Sequence, residues 1–402
     1  MFRLTRFLRE LVEPTPVRPR RDPPGPVVIW NLIRRCNLLC RHCYSISGDV
    51  DFPGELTTAQ VFRVLDDLKA AVAPAIILSG GEPLLRPDIY DIAARARALG
   101  FSVSLSSNGA LVDDAHADRI ASTGFDYVGV SLDGIGAIHD RFRGRPGSFE
   151  ASIAGIRRLA ARGVKVGLRY TMTTENETSF PALLALMKAE GATKFYLSHL
   201  VYSGRGNKNR ATDAEHAVTR DAMRRLFAEA LADVLAGSDR EYVTGNNDAD
   251  GAFLALWVAE TFPDKAVHIR AKLAEWGGNA SGVNVANIDN LGRVHPDTFW
   301  WDHSLGSVLE RPFGEIWADT SDPLMAGLKA RPRRLSGRCG DCSFFDVCGG
   351  NTRVRAYRLT GDAFAEDPAC YLSDAEIGRA ETTPRLTVTP FRGAAHEPRS
   401  VV

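Results

Sequence analysis

Cys36, Cys40 and Cys43 fall within eight positions in the stretch RRCNLLCRHCYSISGD, residues 34–49. The other four cysteines, Cys339, Cys342, Cys348 and Cys370, form a second group, so three plus four accounts for all seven. Thiolates are soft ligands that suit zinc or iron–sulfur clusters. Three in one loop are one short of a closed tetrahedral site. In a four-iron cluster that shortfall leaves one iron open to bind a small molecule. With His42 as a fourth ligand, the same loop would instead make a structural zinc site.

The elements that must carry these residues are legible as an alternation of short apolar runs with helical patterns. Strands are expected at VVIWNL (27–32), AIIL (75–78), SVSLS (102–106), YVGVS (127–131), KVGLRYT (165–171) and KFYLSH (194–199). Between them, Thr57 and Gln60 make a capping box, and Val61, Leu65, Leu68 and Val72 follow as a stripe. Further helices are expected at about 88–99, 113–122, 149–162 and 178–190. Strand–helix alternation argues for parallel βαβ units in an α/β fold. Six units are too few to close an eight-fold barrel, so an open, partial (β/α)6 barrel is expected. Each strand is followed by an unusual loop: the cysteines after the first, SGGEP after the second, SNG after the third and LDG after the fourth. Arg169 and Thr171 end the fifth strand and His199 the sixth. The C-terminal strand ends of β/α barrels form the active site, and these loops all lie on that rim.

Composition narrows the class. Apolar content is 45% and charged content 24%, as in a globular protein. Lys plus Arg equals Asp plus Glu at 49 each, so no net field favours nucleic acid or an anionic membrane. No uncharged apolar run approaches the ~18 residues of a membrane helix, and no stable membrane insertion is expected. Leu4, Phe7, Leu8 and Leu11 share one helical face, but Arg3, Arg6 and Arg9 interrupt any signal-peptide core. A short helix packed on its own protein and a cytoplasmic, reducing location are therefore expected; clustered cysteines there suggest metal or redox chemistry.

C-x3-C-x2-C followed by Tyr44, together with SGGEP at 79–83, resembles the radical S-adenosylmethionine (radical SAM) superfamily over roughly 27–200. The resemblance implies a 4Fe–4S cluster on Cys36, Cys40 and Cys43, with S-adenosylmethionine chelating the open iron and yielding a 5′-deoxyadenosyl radical. As a cradle for that cofactor, Gly80 and Gly81 would let backbone approach the methionine moiety, and Glu82 would accept from its ammonium. Ser107 and Asn108, with Ser131 or Asp133 nearby, would bond the ribose. Arg169 would face the methionine carboxylate and Tyr44 the adenine edge. Asn108-Gly109 and Asp133-Gly134 are also common turn sequences, which leaves ordinary turn chemistry open at both.

The second group, C-x2-C-x5-C-x21-C, resembles the SPASM or twitch extension of the same superfamily. Asp297 and Thr352 stand where that pattern usually has cysteines. The resemblance thus implies one auxiliary 4Fe–4S cluster on Cys339, Cys342, Cys348 and Cys370, making two clusters in all; a zinc ribbon is the alternative. The segments expected are an N-terminal helix and Pro-rich linker (1–26), the barrel (27–205), a helical linker (206–280), the small C-terminal auxiliary-cluster domain (281–373) with a hairpin at Leu291-Gly292, and a loose tail (374–402).

Longer stretches, among them NIDNLGRVHPDTFWWDHSLG and NTRVRAYRLTGD, are similar to the branch of the superfamily that serves haem d1 biosynthesis. That implies a tetrapyrrole substrate, 12,18-didecarboxysirohaem, losing two propionates, with an electron donor such as ferredoxin or flavodoxin. Arg205, Lys208 and Arg210 are candidate carboxylate anchors, with a solvated loop as the alternative. His199 is the candidate catalytic residue, donating a proton or hydrogen bond, with an ordinary buried histidine as the alternative. A related tetrapyrrole decarboxylase, a peptide-modifying enzyme of the SPASM type and a plain electron carrier are the competing readings.

Overall fold

A computed structural model describes residues 1–379. Ten strands form one sheet: β1 (Val27–Ile33), β2 (Ala75–Gly80), β3 (Ser102–Ser107), β4 (Tyr127–Ser131), β5 (Val166–Met172), β6 (Lys194–His199), β7 (Glu241–Gly245), β8 (Val285–Ile288), β9 (Arg293–His295) and β10 (Gly306–Ser307). Their order is β10-β9-β8-β1-β2-β3-β4-β5-β6-β7. From β8 through β7 every pairing is parallel, and only the β8–β9 and β9–β10 pairings at one edge are antiparallel. The sheet curls into a partial barrel with helices outside, which is the expected α/β architecture. Parallel strands buried on both faces need continuous apolar runs, and Val28, Trp30, Ile76, Leu78, Val103, Leu105, Val128, Val130, Leu168 and Leu197 supply them at 0–1% exposure.

Two further parallel strands join the expected six. β7 lies inside 206–280, read as a helical linker, and pairs with β6. With only Tyr242 and Val243 apolar, between Asp239-Arg240 and NNDADG, EYVTG does not stand out as a strand. The hairpin at Leu291-Gly292 is present as β8–β9, but β8 pairs in parallel with β1. The C-terminal segment is therefore built onto the barrel sheet itself.

The interior is shaped by small residues opposite large ones. A Cβ on Gly129 would stand 2.7 Å from the Arg169 side chain, and one on Gly245 would meet the Tyr196 hydroxyl at 2.0 Å. Those gaps let Arg169 and Tyr196 lie within the barrel mouth. The helix Leu4–Val12 buries Leu4, Phe7 and Leu8. Phe2 bridges to Thr244 on the β7 edge, with N–O distances of 2.7 and 2.9 Å, so the N-terminal segment covers that open edge. The tail was expected to be loose from 374. Instead Ile377 is 1% exposed, and Glu376 pairs with Arg220 at 2.6 Å; residues 380–402 lie outside the described residues. No described helix is long and apolar enough to cross a membrane.

Candidate active site

One cavity opens at the C-terminal ends of the strands. Its walls include Cys36, Cys40 and Cys43 from the loop after β1, Gly80 and Gly81 after β2, and Ser107 and Asn108 after β3. Ser131, Arg169, His199, Asn246 and Phe299 complete it, so contributions come from β4 through β7 and from the loop after β9. The cysteine loop is packed against backbone. Gly81 N–H donates to the Ile33 carbonyl at 2.7 Å, and Glu82 N–H to that of Arg35 at 2.9 Å. Any Cβ on Gly80 would lie 2.2 Å from the Ile33 oxygen, and any on Gly81 2.2 Å from the Arg35 oxygen. Both glycines are required by this backbone contact, and Gly80 also sits at φ +147°.

Buried cations hold the loop from behind. Arg143 Nη1 lies 3.4 Å from Cys40 Sγ, and its Nη2 pairs with Asp133 at 2.5 Å. Arg205 donates through Nε to the Cys40 carbonyl at 2.7 Å and through Nη1 to that of Ser47 at 2.8 Å. Backbone N–H groups of Leu38 and Ser47 point at Cys36 Sγ and Cys43 Sγ, at 3.5 and 3.4 Å. Burial pushes the Cys36 and Cys40 thiols up, and neighbouring thiols add to this. Thiolates there call for a bound cation, while the surrounding N–H donors suit sulfur that carries negative charge.

Cys339, Cys342, Cys348 and Cys370 all line a second, small cavity walled by Ala249, Ala252, Phe344, Leu372 and Ile377. Burial raises the Cys348 thiol strongly and pushes Cys370 up to about 11. Among the described residues, no three His, Cys, Asp or Glu side chains are arranged to hold a single metal ion.

Comparison with known proteins follows the same lines. The Radical SAM superfamily model matches residues 30–187. A pre-heme d1 synthase from Dinoroseobacter shibae is 57% identical over 401 residues, covering 99% of both chains. The chain belongs to the radical SAM superfamily. An Fe-coproporphyrin III synthase from Methanosarcina barkeri is 41% identical, over 89% of this chain and 90% of that one. Among solved structures, Streptococcus suis SuiB bound to its precursor peptide SuiA aligns with a TM-score of 0.67 at 14% identity, covering 88% of this chain and 77% of that one. That likeness shows the fold.

Radical SAM enzymes work through a 4Fe–4S cluster and S-adenosylmethionine, and the first cavity fits both, with three thiols beside backbone glycines, hydroxyls and a cation. Within it the expected contacts divide. Tyr44, Gly80, Gly81, Ser107, Asn108, Ser131 and Arg169 line the cavity. Glu82 does not. It is fully buried, turned away, and accepts from Ser107 Oγ at 2.9 Å, Asn108 N at 2.8 Å and Leu84 N at 3.2 Å. Three donors satisfy the carboxyl, so it ties the second rim loop to the third rather than reaching an ammonium. Asp133 is likewise taken, accepting from Thr171 N at 2.7 Å and pairing with Arg143. Ser107 reaches the wall with its hydroxyl already donated to Glu82. Tyr44 OH accepts from Asn31 at 2.7 Å, and its ring meets Phe299 edge-on at 5.5 Å.

Of the candidate substrate residues, Arg205 lines the cavity, but two of its three nitrogens are spent on the cysteine loop; Nη2 is buried without a partner. Lys208 and Arg210 are exposed and lie away from the cavity wall. His199 Nε2 is 3.0 Å from Asp250 Oδ2, and Asp250 also accepts from Tyr371 OH at 2.7 Å and Thr244 Oγ1 at 2.5 Å. Asp297 and Thr352 bind protein instead: Asp297 accepts from Ser281 and Phe299, while Thr352 donates to the Asn246 carbonyl. Sequence reasoning missed Asp250, Asn246 and Thr298. The first two follow β7, so recognising that strand would have drawn attention to NNDADG on the same rim.

The glycine contact yields a direct test. In a Gly81→Ala variant the added methyl strikes a carbonyl that cannot retreat. Iron reconstituted at the Cys36–Cys43 loop is expected to drop by more than half while circular dichroism is unchanged. Full iron incorporation would contradict this packing role.

Proposed function

We propose that this chain removes two propionate side chains from 12,18-didecarboxysirohaem in haem d1 biosynthesis. The observation that carries the reading is that one cavity is lined by the cysteine loop, Gly80, Gly81 and the cations Arg169 and Arg205. Full-length identity of 57% to a protein named pre-heme d1 synthase supports the same substrate class. When bound, the cluster and S-adenosylmethionine would supply a radical able to take a hydrogen atom from the propionate carbon next to the carboxylate; the bond between ring and side chain would then break, the side chain leaving as acrylate and the unpaired electron remaining on the macrocycle.

The chain's own groups bind and orient. Arg169, held by Ser106 and stacked over the Tyr196 ring at 5.2 Å, presents a cation to the cofactor's carboxylate. Arg205 Nη2 and the Thr298 hydroxyl are buried on the cavity wall without protein partners. A substrate carboxylate would satisfy both, since leaving such donors unmade is unfavourable by roughly 1–3 kcal/mol each. Tyr44 and Phe299 offer aromatic surface for a macrocycle. Asp250 accepts from His199 Nε2–H, which leaves Nδ1 as the ring's other polar atom; His199 is assigned the proton transfer that follows loss of a propionate. The second cysteine group would hold an auxiliary 4Fe–4S cluster that exchanges an electron with the site or helps hold the substrate. A ferredoxin or flavodoxin would supply reducing electrons, and the location is read as cytoplasmic.

An anaerobic reaction of reconstituted protein with S-adenosylmethionine, reductant and didecarboxysirohaem should lower the tetrapyrrole's mass by two propionate-sized groups. Cofactor cleavage with an unchanged mass would overturn the substrate and favour a neighbour such as the iron coproporphyrin route. In the same assay Asp250→Asn should lower kcat by about 10- to 100-fold with the KM for S-adenosylmethionine unchanged. Unaltered kcat would remove the His199–Asp250 pair from the reaction.

A further inference from the structure

We propose that the outer face of the Cys36–Cys43 loop docks a small acidic one-electron carrier protein. The proposal rests on the radical SAM reading, in which iron held by this loop is reduced before each turnover.

Three large apolar side chains stand out of this loop and its continuation: Leu39 is 57% exposed, Ile46 41% and Val50 58%. Their neighbours Leu38, Cys36 and Cys40 are buried, so the outward placement is selective. Ile46 holds φ +52°, a left-handed conformation that β-branched residues rarely adopt. The segment is fixed over the first cysteine because Cys36 N–H donates to the Gly48 carbonyl at 2.9 Å. A carrier seated there is separated from the thiols by one layer of chain.

Cations from two other segments surround this apolar centre. Leu39 N–H and Arg41 N–H donate to the Arg143 and Phe142 carbonyls at 3.0 Å each, which brings Arg141 and Arg145 to one margin. Asn209 Nδ2 donates to the Arg41 carbonyl at 2.8 Å and brings Lys208 and Arg210 to another. Arg35 pairs with Asp49 and Asp51, and Arg41 with Glu175. Among the described residues, Arg141, Arg145, Lys208 and Arg210 have no carboxylate partner. With Asp140, whose carboxylate is taken up by the 147–149 turn, six cations thus face four carboxylates, in a chain whose total charge is zero. The basic SGRGNKNR stretch, which the cavity does not use beyond Arg205, acquires a purpose in this arrangement. An apolar centre with a charged rim is the anatomy of a protein interface, and the rim's sign selects an acidic partner and speeds its encounter. Transient redox contacts need only a small patch. In the step itself the reduced carrier loses one electron, the loop's cluster gains it, and no bond forms or breaks.

The test compares reductants on the full reconstituted protein, reading 5′-deoxyadenosine driven by flavodoxin hydroquinone or by dithionite. For an Arg141→Glu, Lys208→Glu, Arg210→Glu variant at low salt, kcat/KM for flavodoxin should fall at least ~10-fold, and the gap should narrow above ~0.15 M salt. With dithionite, variant and parent should match. Equal flavodoxin rates would overturn the docking surface. So would an equal loss with both reductants, which would place these residues in the fold or the substrate site. Failure of the parent protein to form 5′-deoxyadenosine with either reductant would overturn the radical reading beneath the proposal.

Discussion

Arg355 and Asp367 form an ion pair in which neither side chain is exposed, with N–O distances of 2.9 and 3.0 Å. Beyond its partner, the guanidinium donates to the Leu200 carbonyl at 3.0 Å and the Asn246 carbonyl at 2.6 Å, just past the ends of β6 and β7. Asp367 accepts in turn from Thr352 N and Ala369 N, and so sets the chain path between Cys348 and Cys370. One buried pair therefore bolts the four-cysteine segment onto the barrel rim. Burying two charges is expensive, and losing one partner of such a pair destabilises by about 3–5 kcal/mol. What the pair gives in return is register. Tyr371, next to Cys370, reaches Asp250, and Asp250 reaches His199 on the cavity wall. A short run of buried hydrogen bonds thereby links the residue beside Cys370 to His199 on the cavity wall.

The same economy governs the first cysteine loop. The Cys36 and Cys40 thiols are enclosed, and enclosure alone would keep them protonated; the Leu38 N–H at the first and Arg143 at the second offset that penalty only in part. The residual demand for positive charge is what an iron cluster satisfies. Each support also shapes the cavity: Arg143 is balanced by Asp133, and Arg205 leaves one nitrogen over the cavity. Residues that hold the loop and residues that face the ligand are in several cases the same side chains.

Much of this was legible in the sequence. The runs at 127–131 and 194–199 coincide with β4 and β6, the Thr57–Gln60 capping box forms, and the two groups of cysteines line two separate cavities. What period and rim position do not encode is where a polar side chain points. Glu82 and Asp133 sit on the correct rim, yet three donors on one and a guanidinium on the other turn them inward. Lys208 and Arg210 were placed near the site by their charge, but the short helix Gly204–Lys208 and the turn that follows it leave them exposed and off the cavity wall. β7 was missed because EYVTG offers only Tyr242 and Val243 as apolar residues inside a stretch read as helical, and with it went Asn246 and Asp250. The chain departs from its family's cysteine pattern at Asp297 and Thr352, and there hydrogen bonds to the surrounding chain occupy positions where ligands would stand.

The central claim is that one cavity brings the radical source and a tetrapyrrole propionate into contact. Substrate deuterated on the propionate carbons tests it most directly, by mass spectrometry of the 5′-deoxyadenosine released. The account predicts deuterium in that product, transferred in step with loss of the side chain. Product free of deuterium, formed while the tetrapyrrole is being converted, would contradict it.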